Sequence, residues 1–172
     1  MACVPSFSCP PTTRPGSDPV ARHARRAVPP RPGDPAVAAT TPVEGEILDL
    51  TRQILSAVAA GDWAAYRRLV ADDLTCFEPE ARGQLVEGLP FHEFYFKLPT
   101  DPARSPRPVT TTIASPVVKL LSDTVALVAY VRLTQTLDDA GRPVTKPCEE
   151  TRIWRKTGGH WKHVHFHRSL PT

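Results

Sequence analysis

No stretch of these 172 residues strings together the roughly 18–20 apolar positions that a membrane-spanning helix needs. There is no CxxC pair and no Cys/His spacing of the zinc-finger kind; the four cysteines, Cys3, Cys9, Cys76 and Cys148, stand far apart. They are expected to be free thiols, with a single disulfide as the alternative that spacing does not place. A basic surplus is missing where it would matter. Residues 44–172 carry sixteen Lys plus Arg against sixteen Asp plus Glu, which argues against a nucleic-acid-binding module. The net charge of +3 comes from residues 1–43, where five arginines face only Asp18 and Asp34. No internal repeat is present.

Residues 1–43 also hold ten of the twenty prolines, and their aliphatic side chains are sparse and aperiodic. Such a segment buries too little apolar surface to offset its ordering entropy, so it is expected to be a disordered Pro/Arg-rich tail preceding a domain at 44–172. It has no continuous apolar core of the secretory type. A cytoplasmic location is expected; an organelle transit peptide is the alternative, since the tail is Arg-bearing and acid-poor, although its proline density fits that poorly.

From Glu44 the texture changes. Ile47, Leu50, Ile54, Leu55 and Val58 recur at helical spacing, acidic residues open the segment and Gly61 closes it. Asp62 is placed to cap a second helix, WAAYRRLVADD, and Pro90 to start a third, PFHEFYFKL. LTCFEPEA reads as a short strand or extended corner between them, and TDPARSPRP as an irregular loop. Later segments, VTTTIASPVVKLL, DTVALVAYVRLTQTL, CEETRIWRKT and HWKHVHFHRS, are rich in β-branched and aromatic residues, with TGG as a tight hairpin turn and DDAGRP as a longer one. Helices first and antiparallel strands after predict an α+β domain, about three helices packed on one face of a curved antiparallel sheet.

Strand alternation sorts the side chains. Val128, Tyr130, Arg132 and Thr134 share one face of their strand, and Glu150, Arg152 and Trp154 share one of theirs. In HWKHVHFHRS, strict alternation puts Phe166 and Arg168 with Lys162 and Val164, and puts Trp161 with His163, His165 and His167 on the opposite face. Three strands thus each carry an arginine beside aromatic or aliphatic neighbours. A converging set of guanidiniums requires anions, either internal carboxylates such as Glu150 or a bound one. The competing reading gives each arginine its own carboxylate on an exposed face, and periodicity alone leaves both open. The HxHxH spacing permits a shared zinc or iron, but no third ligand is evident. The histidine face is therefore expected to be a packing or interface surface, with no metal and no cofactor.

These blocks occur together in one family. "GDW", "LTCFEPEARGQLVEGLPFHEFYF", "AYVRLTQ" and "EETRIWRKTGGHWKHVHFHRS" resemble, in order and spacing over about 46–169, the association (hub) domain of calcium/calmodulin-dependent protein kinase type II. The resemblance implies a nuclear-transport-factor-2-like cone that dimerises and stacks into double rings of about twelve or fourteen subunits. It also implies an arginine-lined pocket for small carboxylates, with Arg132, Arg152 and Arg168 on the matching positions and His92 at the rim; strand parity adds Tyr130 and Glu150. Two departures stand out. Nothing resembles a glycine-rich loop, HRD or DFG, so the chain is expected to be a stand-alone scaffold, with a separate kinase as one candidate partner and neither membrane nor nucleic acid as another. Thr100 also aligns with a rim tryptophan of some members. The same fold hosts ketosteroid isomerases, dehydratases and polyketide cyclases, so a small-molecule enzyme with Glu150 as base and His92, Tyr95 and Tyr130 in support is the alternative.

Overall fold

The computed structural model describes residues 41–99 and 108–170; residues 1–40 of the expected tail and most of the TDPARSPRP loop lie outside them. The chain begins there with α1, Pro42–Ala60, two residues earlier than the change in texture at Glu44. Thr41 caps it. Its hydroxyl accepts from the Glu44 amide while Glu44 Oε2 accepts from the Thr41 amide at 2.7 Å, a reciprocal capping box. Gly61 ends the helix at φ 66°, in the left-handed region that costs glycine least. Asp62 then accepts from the Ala65 amide at 2.9 Å and starts α2, Trp63–Leu69.

α2 is shorter than its periodicity predicts. The VADD segment continues not as helix but as strand β1, Val70–Phe77. Val70 and Leu74 are buried there, and β1 lies in the interior of the sheet, between β2 and β6, so burial and strand pairing replace the helical turn that periodicity predicts. A single 3-10 turn, Pro79–Ala81, and a two-residue strand β2, Val86–Glu87, lead to α3, Pro90–Phe96. The remaining strands are β3, Thr110–Ser122, β4, Val125–Leu137, β5, Pro143–Thr157, and β6, His160–Ser169.

The six strands form one sheet in the order β2-β1-β6-β5-β4-β3. The expectation of an antiparallel sheet holds for every pair except β1–β6, which is parallel, so the sheet is mixed. That pair joins the first strand of the chain to the last, and no hairpin signal in the sequence announces it. Between β5 and β6 the turn is Gly158-Gly159, with φ of 58° and 83°, and Thr157 faces His160, the two-residue hairpin that TGG predicts. Pro116 sits inside β3, tolerable because β3 is the free edge. Next to it the ladder slips, with Ser115 at φ 49°.

α1 and α2 pack on the inner face of this sheet. Ile47, Ile54, Leu74, Val128 and Trp154 are completely buried between the layers. Thr51, also fully buried, donates to the Ile47 carbonyl at 2.8 Å and so carries no unmet hydroxyl into the core. Trp63 and Tyr66 stack on each other, and both rings meet Phe96 at a tilt, which ties α2 to α3. Among the described residues no helix is long and apolar enough to cross a membrane.

Candidate functional site

Alternation along β4 and β5 turns Tyr130, Arg132, Glu150, Arg152 and Trp154 to the inner face, and the register pairs Tyr130 with Glu150 and Val128 with Arg152. On β6 the alternation breaks. Ile153 pairs with His165 but its neighbour Trp154 pairs with His163, so Val164 is an extra residue, a β-bulge. Beyond the bulge, Phe166 and Arg168 face inward as expected. Before it, parity inverts: Trp161 and His163 also point inward, at 5% and 0% exposure. The single histidine face expected from strict alternation is therefore split. His163 is a core residue and Trp161 belongs to the core, while His165 and His167 alone stay on the outer face.

The inner faces and the helices enclose a cavity of about 260 Å³, lined by Arg132, Glu150, Arg152 and Arg168 from the sheet, Glu78 and Glu80 from the 3-10 corner, and His92 from α3. Tyr66, Tyr95, Phe96 and Phe166 supply aromatic wall. Of the six residues singled out in the sequence, Tyr130 alone does not line it; its hydroxyl instead buttresses the others from behind.

Charges in the cavity fall into two groups. In the first, Arg152 donates from Nε to the Tyr130 hydroxyl at 2.8 Å and from Nη2 to Glu150 Oε2 at 2.8 Å, while Tyr130 donates to the same carboxylate oxygen. Arg132 Nη1 approaches the other oxygen, Oε1, at 3.0 Å. Two guanidiniums thus share one carboxylate, and Arg132 Nε is buried with no hydrogen-bond partner among the described residues. Arg152 also lies over the Phe166 ring, 4.9 Å from its centroid, and its Nη1 sits 3.3 Å from His163 Nε2. A guanidinium donates and cannot accept, so the ring nitrogen Nε2 accepts there and the neutral imidazole carries its proton on Nδ1.

In the second group the balance is reversed. Arg168 Nη2 donates to Glu78 Oε2 at 3.0 Å and to Glu80. Glu78 turns its other oxygen toward His92, whose Nε2 is 3.6 Å from Oε1 and 3.5 Å from Cys76 Sγ. The cavity therefore has an electropositive end at Arg132 and Arg152 and an electronegative end at Glu78 and Glu80.

Burial and these neighbours set the protonation states. Burial alone would raise the Glu150 carboxyl, but Arg152, Arg132 and the Tyr130 hydroxyl together hold it below the ordinary carboxylate range. At Glu78 burial prevails over Arg168, and its carboxyl is raised. Burial lowers both buried imidazoles, with Arg152 adding to the effect: His92 falls, and His163 falls well below the usual value. Burial pushes the Cys76 thiol up to about 12, so it is protonated at neutral pH.

Glu78, Glu80 and His163 were not anticipated. Three inward arginines need more than one carboxylate, and that deficit was the one available signal for Glu78 and Glu80. Nothing in HWKHVHFH marks the bulge. Cys76 and Cys148 are free thiols, as expected.

The family model "Calcium/calmodulin dependent protein kinase II association domain" matches residues 43–171. The delta subunit of calcium/calmodulin-dependent protein kinase type II from Oryctolagus cuniculus is 46% identical over 124 residues, 72% of this chain but only 23% of that relative's length. The solved hub homology domain of Chlamydomonas reinhardtii is 46% identical with a TM-score of 0.72, covering 76% of this chain and 99% of that one. A more distant NTF2-like protein from Rhodospirillum rubrum, 24% identical with a TM-score of 0.56 over 73% of this chain and 98% of that one, shares the fold alone. Three helices on an unclosed six-stranded sheet, the matched span and the identity over it agree: this chain belongs to the calcium/calmodulin-dependent protein kinase II association domain family, with an NTF2-like fold.

Proposed function

We propose that this domain is a self-associating scaffold whose cavity takes a small carboxylate at its arginine end. The observation that carries the ligand half is the charge imbalance around Glu150: two guanidiniums from residues that line the cavity, one carboxylate, and a buried Arg132 Nε with no hydrogen-bond partner among the described residues. A carboxylate entering there supplies the missing negative charge and a second acceptor, in a site where charge-assisted hydrogen bonds are strong. The aromatic wall accommodates its short apolar stem. Small carboxylates are therefore expected to raise the melting temperature, since a ligand that binds only the folded chain stabilises it by mass action, about 2.7 kcal/mol at a hundredfold excess over Kd. Arg132→Ala should abolish that rise as measured by differential scanning fluorimetry. An undiminished rise in the variant removes Arg132 from the site.

The scaffold half rests on family membership and on the outer face of the sheet. Val117, Ala129, Thr151, His167 and Phe77 form one row across five strands, and Val117 and Phe77 are 51% and 39% exposed at its ends. Such a weakly charged, aromatic-bearing band is the composition of an interface core. Size-exclusion chromatography with light scattering on the full chain at micromolar concentration should return a multiple of the 18.9 kDa protomer mass; a monomer would refute the scaffold half. An isomerase-type reaction on the same residues would use Glu150 as base, but Arg152 and Arg132 lower its proton affinity and make it a poor one.

A further inference from the structure

The geometry points to a second site at the other end of the cavity: we infer that Cys76, Glu78 and His92 bind a tetrahedral divalent metal ion of the zinc type. Cys76 lies near the end of β1, Glu78 two residues on in the same extended run, so both side chains leave the chain on one side. His92 comes from the first turn of α3 and lies against them. The thiol sulfur, one carboxylate oxygen and one imidazole nitrogen all fall within 4.8 Å of one another.

The spacing is that of ligands around one ion. Zinc bonds of about 2.3 Å to sulfur, 2.05 Å to nitrogen and 2.0 Å to oxygen, at tetrahedral angles, put sulfur about 3.6 Å from nitrogen and nitrogen about 3.3 Å from oxygen. Here Cys76 Sγ is 3.5 Å from His92 Nε2, and Nε2 is 3.6 Å from Glu78 Oε1. Small side-chain rotations complete the fit. The donor set, one thiolate, one imidazole and one carboxylate, belongs to borderline-soft ions and not to magnesium or calcium.

Charge and supporting contacts agree. Metal binding displaces the Cys76 proton to solvent, and the resulting thiolate with the Glu78 carboxylate neutralises a dication; the imidazole stays neutral. Arg168 holds Glu78 through Oε2, which orients Oε1 toward the ion in the way that outer-sphere partners fix metal ligands. Cys76 is completely buried and His92 is 7% exposed, so the ligands are held by the core. Glu78 and His92 line the cavity, which leaves the fourth position open to water or to a small anion. This site does not depend on the carboxylate at the arginine end, and it fails or stands independently of self-association.

Cobalt(II) is the probe. Titrated into the reduced full chain, it should develop a thiolate-to-cobalt charge-transfer band in the near ultraviolet together with visible bands of tetrahedral intensity, and zinc should bleach both. Cys76→Ala should remove the charge-transfer band and weaken zinc binding at least tenfold against a chromophoric chelator, while Cys148→Ala leaves both unchanged. His92→Gln, which keeps the thiol, should weaken zinc to a similar extent and serves as the second variant should Cys76→Ala fold poorly. Absence of the band in the parent chain, or its persistence undiminished in Cys76→Ala, overturns the site.

Discussion

Replacing Glu150 with alanine is expected to be among the most damaging single changes in this domain, costing about 3–5 kcal/mol. The residue is 2% exposed and is the carboxylate partner of both Arg132 and Arg152. Its removal leaves Arg152, itself 3% exposed, as an uncompensated buried charge, and frees the Tyr130 hydroxyl. A fall in Tm of about 10 °C or more should follow by calorimetry. The variant also opens a carboxylate-sized hole between two guanidiniums, so acetate should restore part of the loss and should stabilise the variant more than the parent. Equal acetate effects in the two chains would mean that the guanidiniums find other partners. The sign with pH is fixed by the depressed Glu150 pKa: its contribution is present above the ordinary carboxylate value and is lost as pH falls through the lower folded one.

The second large effect is expected at milder acidity. His163 is completely buried, accepts from Arg152 and is held neutral, first by burial and then by the guanidinium. Its folded pKa lies below its unfolded one, so protons favour the unfolded chain. Above about pH 6.5 the ring contributes nothing to the slope; below it, stability falls by up to about 1.4 kcal/mol per pH unit. His92, also lowered, adds to the same fall. His163→Gln keeps an acceptor for Arg152 but cannot titrate. Denaturant melts of the two chains between pH 7 and 5 should therefore diverge, with the variant losing less stability. Parallel curves would show that the ring gains its proton in the fold without penalty.

Much of the site was legible because alternation is a local property. Arg132 and Arg152 reach the cavity from positions that period-two counting on unbroken strands identifies, and Tyr130 and Glu150 meet because their strands pair in register. Arg168 was placed correctly only because it lies on the same side of the bulge as Phe166. Trp161 and His163 lie before the bulge, and strict alternation assigns them to the wrong face, since one inserted residue inverts every side chain beyond it. Glu78 and Glu80 belong to a corner about 90 residues before Arg168, and no spacing rule links the two.

What the sequence determined by itself is what short-range chemistry controls. Thr41, Asp62 and Gly61 bound the first two helices through hydrogen bonds within three residues and one left-handed φ, and paired glycines set the last hairpin. Tertiary structure alone decided where α2 gives way to β1, that β1 joins β6 in parallel, and that Val164 bulges out of the ladder. Each of those choices is made by burial and backbone pairing between segments far apart in the chain, and their energies appear only when the segments meet. The same meeting sets Cys76, Glu78 and His92 within bonding reach of one ion.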